Sequence, residues 1–363
     1  MVIIPLVFSS IISGVTSMGE GKNLGRLGGK TLLYYLSTST LAIITGLTVV
    51  NLVKPGVGVD LGFSKSVEGL AEQAGSVKDI FYRLIPDNVI DVMARGEILP
   101  VIFFAILFGY FITRTATKYK ETLSTFFDAV FEVMMKVTLF IIRFTPLGIF
   151  GIVSAEVARN SEDLASIAGS LAIYSLCVVA GLLFHALVTL PLIVRIIGKA
   201  RPFSHLKNMA TPLLTAFSTS SSSATLPLSM EALEHNSGVS NKISSFTLPL
   251  GATINMDGTA LYECVAAMFI AQAYGVDLAF GQQILVVVTA LLASIGAAGI
   301  PMAGLVMITV VLTAVGLPLE GIGLILAVDR ILDMLRTSVN VWSDSCGAVT
   351  IARSENEVTN VSV

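Results

Sequence analysis

Long uninterrupted apolar runs constrain this 363-residue chain more than any other feature of its sequence. The runs 31–53, 99–111 and 164–197 each carry at most one charged side chain. Only 13% of all residues are charged, against about 25% in a typical soluble domain, and the mean hydropathy is +0.84. A membrane-spanning backbone must form helices or a closed barrel, and barrel strands alternate in polarity over about ten residues. The sequence therefore predicts an all-α integral membrane protein, a multi-helix bundle.

The connectors between the apolar segments predict how the chain is oriented. Basic connectors at about 19–30, 113–125 and 195–208 alternate with acidic ones, of which 54–95 is the longest. By the positive-inside rule the basic connectors face the cytoplasm, so we expect a multi-pass protein of the inner or plasma membrane with a cytoplasmic C-terminus. The first apolar run is short for a span, and we expect the chain to begin inside a helix. The expected spans are 1–18, 30–53, 97–116, 126–156, 164–198, 241–273 and 319–352, and the interrupted apolar stretches are 206–236 and 283–316.

The two interrupted stretches resemble each other. Each contains a run of small residues that closes on a proline, at 220–227 in the first and 294–301 in the second. Each is followed by a span with a polar motif, 255–259 after the first and 329–344 after the second. Paired interrupted segments are typical of transporter sites at the interface of internal repeats. Packing of small residues between helices is the alternative interpretation for either stretch alone, and the pairing favours the transporter site.

The polar segment 329–344 places both signs of charge on one helical face. Its polar side chains are spaced at i, i+3, i+4, i+7 and i+11, and ionisable groups at membrane depth are costly and mark functional sites. Arg336 suits bidentate binding of a carboxylate, and Asp333 can accept from an ammonium group, as a zwitterionic amino acid requires. The alternative is an Asp–Arg pair that only satisfies itself. We expect Asp329 and Arg330 to pair as structural groups. The face consists of Asp333, Arg336, Thr337, Asn340 and Asp344.

A second polar face is predicted in the span that contains Asn255. On a continuous helix Asn255, Thr259 and Glu263 share one face, and Gly258 predicts local unwinding that frees carbonyls for a cation. Glu263 either carries a proton or remains neutral and structural. Asp257 points away from this face, toward a polar group in the second span. That group consists of Tyr35, Thr38 and Ser39.

Other classes of function receive little support from the sequence. The net charge of −3, without a basic tail, argues against nucleic acid as a partner. The isolated cysteines and scattered histidines indicate neither a disulfide framework nor a metal site. A channel would need rings of like groups along an open pore, and a serine hydrolase would need a base beside the serine run, where His205 and His235 are the nearest histidines. We therefore expect no enzymatic activity and no cofactor.

Four motifs resemble the glutamate/aspartate–cation symporter family, and the resemblance covers nearly the whole chain. They lie at 220–227, 248–259, 293–301 and 333–344. The resemblance extends to archaeal and bacterial aspartate transporters and to excitatory amino acid transporters. It implies secondary-active import of L-aspartate or L-glutamate with sodium, by an elevator mechanism in a homotrimer. A proton-coupled glutamate symporter, a C4-dicarboxylate symporter and an anion channel are the alternatives.

The resemblance also implies an inverted-repeat fold with two re-entrant helical hairpins, in a chain without about the first helix of the family. A scaffold domain would hold the trimer while a transport domain slides across the membrane. The expected scaffold parts are 1–28 (a truncated second family helix) and 54–160 with the external loop 54–95, and the expected transport parts are 29–53, 161–204, hairpin 1 at 205–236, 237–275, hairpin 2 at 276–317 as the gate, and 318–363 with a cytoplasmic tail.

Carried over residue by residue, the resemblance implies a substrate pocket and three sodium sites. Arg336 would hold the side-chain carboxylate of the substrate, and Asp333 its amino group. Sodium, and protons if Glu263 carries them, would be co-transported ligands. The pocket would be completed by Thr337, Asn340, Thr259, Ser221, Ser222, Ile300 and Gly304; sodium would be held by Asp344, Gly251, Asn255 and Asn340 at one site, by Thr253, Met256, Ser294, Ile295 and Ala297 at a second, and by Tyr35, Thr38, Ser39, Asn255 and Asp257 at a third.

Three positions qualify the resemblance: two bear on the electrostatics of the site and on substrate release, and the third bears on the coupling ion. Sodium-only archaeal members of the family have an arginine near the serine run, and the excitatory carriers have one directly after the Asp333 position. This chain has Ser220 and Met334 at those places. Glu263 matches the members that co-transport a proton and counter-transport potassium. The resemblance therefore leaves sodium and proton coupling open.

Overall fold

The computed structural model describes residues 3–16, 22–58, 85–95, 98–144, 164–296 and 303–362, with four single residues between 147 and 154. Apart from turns, short connecting segments and one isolated bridge, this part of the chain is helical, so the predicted all-α class is confirmed for it. The helices are α1 (Ile3–Thr16), α2 (Lys22–Val53), α3 (Val89–Arg95), α4 (Ile98–Arg114), α5 (Thr117–Ile142), α6 (Leu164–Phe184), α7 (Leu190–Ile196), α8 (Pro202–Asn208), α9 (Ala210–Thr219), α10 (Ser222–His235), α11 (Asn241–Ile254), α12 (Asp257–Ala273), α13 (Phe280–Gly296), α14 (Ala303–Val315) and α15 (Ile322–Ser354).

Helix α12 forms the centre of the molecule. Nearly every one of its side chains is buried, on all faces, and it packs against α2, α6, α13, α14 and α15. A helix that is buried all round lies in the core of a bundle. The second half of α15 is buried in the same way, from Val339 to Ala352. The polar side chains of α12 and of this second half of α15 therefore face protein and not solvent.

The structure divides the predicted span 241–273 into two helices, α11 and α12. Asn255 and Met256 have non-helical dihedrals, with φ of −102° and −113°. The unwinding expected at Gly258 thus occurs two to three residues earlier, and Asn255 does not share a helical face with Thr259. Gly258 lies in a regular helix, where an added Cβ would be 2.7 Å from the Arg336 carbonyl oxygen. The small size of Gly258 therefore allows α12 to pack closely on α15 and does not interrupt the helix.

Helices α6 and α7 run on through a π-helical turn, His185–Thr189. Such a turn inserts an extra residue and changes which side chains face inward. His185 is fully buried, whereas Leu187 and Val188 on the same turn are exposed. By length and composition, Arg26–Val53 and Ala168–Ile196 are the two described segments that could span a membrane.

Both interrupted stretches contain a pair of mutually packed helices. The first pair is α9 and α10, which Ser220 joins in a left-handed conformation with φ of 51°. Ser221 then begins α10, and its hydroxyl accepts from the amide of Ala224 at 3.2 Å. The second pair is α13 and α14, which also pack together. The small-residue segment 297–302 between them, including the predicted break at Pro301, lies outside the described residues.

Candidate functional site

The guanidinium of Arg336 is the centre of the polar stripe on α15 and is fully buried. It donates from Nη1 to Asp329 Oδ1 at 2.9 Å and from Nη2 to Asp333 Oδ1 at 2.7 Å. Its Cζ lies 3.7 Å from the centre of the Tyr262 ring, within the range of a cation–π contact. The Arg336 Nε has no hydrogen-bond partner among the described residues. Two carboxylates therefore accept hydrogen bonds from the Nη groups of the guanidinium, whereas its Nε–H has no described acceptor.

The expected pairing of Asp329 with Arg330 is wrong. Asp329 is fully buried and pairs with Arg336, while Arg330 is half-exposed and lies 3.9 Å from Asp333 Oδ2. The cause is helical geometry, because neighbouring residues point in different directions whereas residues seven apart lie on one face two turns apart. Asp329 thus joins the candidate site, and the spacing of seven was the signal for it. The alternative interpretation of the stripe, an internal Asp–Arg pair, is therefore also present in this geometry.

Of the other expected pocket residues, Gly304 lies directly against the guanidinium of Arg336, and Thr337, Ser221 and Ser222 lie on or beside α15. A Cβ on Gly304 would lie 3.1 to 3.3 Å from three guanidinium atoms, so α14 approaches the charge closely. Thr337 donates to the Asp333 carbonyl of its own helix at 2.8 Å. Ser221 and Ser222 are buried at the start of α10, in a helix pair that packs on α15. Ile300 lies outside the described residues.

Asn340 joins α15 to the central helix α12. Its Oδ1 accepts from the amide of Gly258 at 2.8 Å, and its Nδ2 donates to the Thr259 hydroxyl at 3.1 Å. A Cβ at Gly258 would lie 3.1 Å from this same Oδ1, so a glycine is required for the approach. The structure therefore brings Asn340 and Thr259 together, as the predicted pocket requires.

Asp344 lies in an oxygen-rich cluster beside the break between α11 and α12. It accepts from Asn255 Nδ2 at 2.9 Å, and a Cβ at Gly251 would overlap its carboxylate and lie 2.8 Å from the Tyr35 hydroxyl. The Tyr35 hydroxyl donates to the Thr247 carbonyl at 2.7 Å and makes no hydrogen bond to Asp257 in the described part. Tyr35 thus lies with Asp344 and Gly251.

Asp257 forms a second cluster, and four side chains contact its carboxylate. Ser39 donates to Oδ1 at 2.6 Å and Thr38 at 3.3 Å, while Ser343 donates to Oδ2 at 2.5 Å. His185 Nε2 lies 3.0 Å from Oδ2. The predicted approach of Asp257 to Thr38 and Ser39 is therefore present in the structure.

The second expected ion site is described only in part. Thr253 and Ser294 both donate to carbonyls of their own helices, at 3.0 and 2.8 Å. Helices α11 and α13 pack together, and Ile295 contacts the apolar cluster next to α11. Met256 is buried at the break, and Ala297 lies outside the described residues. The structure brings these two helices together without showing a common coordination sphere.

Glu263 is fully buried on α12, and neither carboxyl oxygen has a hydrogen-bond partner in the described part. A buried ionised carboxylate without a partner is costly. The described residues also contain no group of three or more His, Cys, Asp or Glu side chains that could hold a metal ion. The polar clusters instead combine single carboxylates with hydroxyl, amide and carbonyl oxygens, which are hard ligands suited to hard cations.

A comparison with protein families matches residues 1–354, almost the whole chain, to the sodium:dicarboxylate symporter family. The chain belongs to this family. It is 36% identical to the proton/glutamate-aspartate symporter of Escherichia coli over 366 residues, which cover 98% of this chain and 83% of that protein. It is also 36% identical over 367 residues to the proton/sodium-glutamate symport protein of Geobacillus stearothermophilus, covering 98% and 85% of the two chains. An excitatory amino acid transporter of Caenorhabditis elegans is 37% identical over 394 residues, 96% of this chain and 77% of that one.

Membership in the symporter family means that the chain is a membrane protein, because the family is made up of transporters. The resemblance derived from the four sequence motifs is therefore confirmed. The buried polar clusters of α2, α12 and α15 thus lie in a transporter and not in the interior of a soluble bundle. This explains how so many ionisable groups can be retained at such depth.

Sequence reasoning misses two residues of the Asp257 cluster, Ser343 and His185. In the sequence, His185 is one of three scattered histidines without ligand spacing, whereas in the structure it contacts Asp257 from a helix distant in sequence. A weak signal was present, since His185 is the one histidine inside the long apolar run 164–197. Polar residues at such depth mark functional sites even without a neighbouring motif.

Proposed function

We propose that this protein is a secondary-active symporter that imports L-aspartate or L-glutamate together with sodium. The observation that carries the proposal is a fully buried arginine, Arg336, adjacent to two oxygen-rich clusters that each contain a carboxylate, Asp344 and Asp257. Neither carboxylate forms an ion pair with a lysine or arginine of the described chain. Buried carboxylates need a compensating charge, and a co-transported cation supplies it.

In this proposal the substrate carboxylate binds the guanidinium of Arg336, and the amino group binds Asp333. The substrate carboxylate can accept hydrogen bonds from the Arg336 Nε, which has no described partner. It can also accept from the Nη1 and Nη2 groups that now donate to Asp329 and Asp333. Binding at this position requires one carboxylate of the internal arrangement to be displaced. Arg–carboxylate pairs are charge-assisted and frequently bidentate, so the side-chain carboxylate of an acidic substrate can replace one of these partners, whereas the side chain of a neutral amino acid cannot.

Sodium ions are assigned to the clusters of Asp344 and Asp257, and a further one to the region between α11 and α13. The end of α11 at Ile254 supports the first assignment, since the last carbonyls of a helix lack a full set of partners within that helix. The transport cycle would be an elevator movement within a homotrimer, with the helix pairs α9–α10 and α13–α14 as re-entrant hairpins and a cytoplasmic C-terminus. The division into a scaffold domain that holds the trimer and a transport domain that moves is part of this proposal.

The proposal is tested with purified protein in liposomes. An inward sodium gradient should drive uptake of radiolabelled L-aspartate or L-glutamate, and a potassium gradient of equal size should not. Asp344→Asn should abolish the sodium dependence, while the exposed Asn241→Ala serves as a control. Absence of sodium-dependent uptake in the wild type would refute sodium coupling.

Proton coupling is the second candidate, and Glu263 favours it. Its carboxyl group is fully buried without a described hydrogen-bond partner, an environment that suits a group alternating between protonated and ionised states. A pH gradient in the absence of sodium should then drive uptake, and Glu263→Gln should abolish that uptake while leaving substrate binding intact. Uptake that responds to sodium alone in both proteins would exclude the proton as driving ion.

A further inference from the structure

A groove lies on the surface of the segment 187–204, where α7 ends and α8 begins. Its volume is about 580 Å³. Its walls are formed mainly by apolar side chains, of which Leu187, Leu192 and Phe203 are exposed by 48%, 55% and 65%. The π-helical turn directs Leu187 outward while His185 on the same turn faces inward. The groove is thus a concave apolar surface on a helix of a membrane protein.

Two arginines, Arg195 and Arg201, also line this groove. Both are exposed, and neither forms an ion pair with an acidic residue of the described chain. The whole connector 195–208 contains no aspartate or glutamate. Arg195 lies eight residues beyond Leu187, which corresponds to about 12 Å along the helix axis. The groove therefore has an apolar wall near Leu187 and, about 12 Å away along the helix, positive charge without an acidic partner.

We propose that this groove binds one anionic phospholipid, with the phosphate on Arg195 and Arg201 and an acyl chain along Leu187, Leu192 and Phe203. The charge is complementary, because arginine favours bidentate contact with phosphate oxygens. A free inorganic anion would leave the apolar wall uncovered, and a zwitterionic lipid would bring a compensating positive group to the arginines. Only an amphiphile with net negative charge satisfies both parts of the groove.

The protein contains a built-in reporter for this site. Trp342 is its one tryptophan, and its indole donates to the Ala186 carbonyl at 3.0 Å. Its ring lies 5.2 Å from that of His205. Ala186 and His205 are the chain neighbours of the lining residues Leu187 and Ser204. Trp342 therefore lies directly behind the groove, where a brominated acyl chain in the groove quenches its fluorescence.

The test titrates the full-length protein in detergent with brominated phosphatidylglycerol and with brominated phosphatidylethanolamine of the same acyl chains. Each basic side chain near an anionic lipid surface contributes about fivefold, so two arginines should give about a 25-fold preference for phosphatidylglycerol. Arg195→Gln combined with Arg201→Gln should remove that preference. The matched double variant Lys207→Gln/Lys242→Gln, which lowers charge equally at exposed positions outside the lining, should keep it.

Leu187→Gln, which leaves both arginines in place, provides a second test if the double arginine variant does not fold. It should weaken binding of phosphatidylglycerol while glycerol phosphate, added as a soluble headgroup, fails to displace the lipid. Native mass spectrometry should count one tightly held lipid per chain. Equal quenching by the two lipids in the wild type, equal loss in the lysine control, or displacement by glycerol phosphate at the lipid's own concentration would overturn the proposal.

Discussion

Replacing Arg336 by methionine tests whether the candidate substrate site is a balanced charge cluster. The substitution keeps a long side chain over the Tyr262 ring but removes the guanidinium that Asp329 and Asp333 share. Removing one partner of a buried ion pair usually costs about 3–5 kcal/mol, because the remaining charge stays buried without compensation. We expect Arg336→Met to lower the free energy of unfolding by about that amount.

A double-mutant cycle with Asp329→Asn isolates the electrostatic part of this loss. In the double variant, Asp329→Asn removes one of the two carboxylates that lose their guanidinium partner in Arg336→Met. We therefore expect it to be more stable than the sum of the single changes by between about 1 and 3 kcal/mol. Unfolding can be followed by the fluorescence of Trp342 on the same helix. Arg330→Met is the control, since Arg330 is half-exposed and 3.9 Å from its carboxylate, and should cost less than about 1 kcal/mol.

Substrate binding should behave differently from stability in the same variants. Two charge-assisted hydrogen bonds contribute about 1.5–3 kcal/mol each, so Arg336→Met should weaken binding of L-aspartate by about 10²- to 10⁴-fold. The added Asp329→Asn should show this coupling in stability but should not restore affinity in calorimetric titrations. The reasoning fails if the Arg336→Met protein is as stable as the wild type, or if it still prefers aspartate to alanine.

Two further predictions concern groups at other places in the fold. Gly251→Ala should lower the free energy of unfolding by about 1–3 kcal/mol because its Cβ would overlap the Asp344 carboxylate, whereas Gly29→Ala, whose Cβ meets nothing within 4 Å, should be neutral or stabilising; equal effects in denaturant unfolding would contradict this. At the cytoplasm-facing end, as we propose it, a hydrogen bond and the charge of Lys30 hold the pKa of Glu355 below its ordinary value. A lowered folded pKa stabilises the protein above the unfolded pKa of about 4.3, so Glu355→Gln should cost about 0.2–1 kcal/mol at pH 7. That difference should shrink as the pH falls below 4.3, and a cost independent of pH would refute the assignment.

The helical class and the polar stripe of α15 could be predicted because both depend on local pattern. Apolar runs of span length fix the class, and a helical repeat fixes which side chains of 333–344 share a face. The structure places this stripe on one continuous buried helix. The paired interruptions were likewise visible as small-residue runs, and each lies within or beside a pair of packed helices.

The contacts across helices could not be predicted in the same way. The break at Asn255 lies next to Gly258, which is the locally weaker helix former, yet Gly258 remains helical. Asn255 instead leaves the helix and donates to Ser343 and Asp344 of α15. His185 likewise depends on a π-helical turn and on a partner 72 residues away. The position of the break and the orientation of His185 depend on partners distant in sequence, and local helix propensity predicts such features only weakly.

The two carboxylate clusters are linked through the Asn255 side chain and the hydroxyls of Ser343 and Thr38, and this bears on how ions and substrate could be coupled. Ser343 donates to Asp257 and accepts from Asn255, whose amide also donates to Asp344. Asn340, one turn earlier on the same helix, holds the start of α12 through Gly258 and Thr259. A cation that draws Asp257 or Asp344 toward itself must therefore rearrange bonds that fix the break between α11 and α12. Since Asn340 binds the same segment and lies one turn from Arg336, occupancy of the proposed ion sites would be connected to the shape of the proposed substrate site through direct contacts within a few residues.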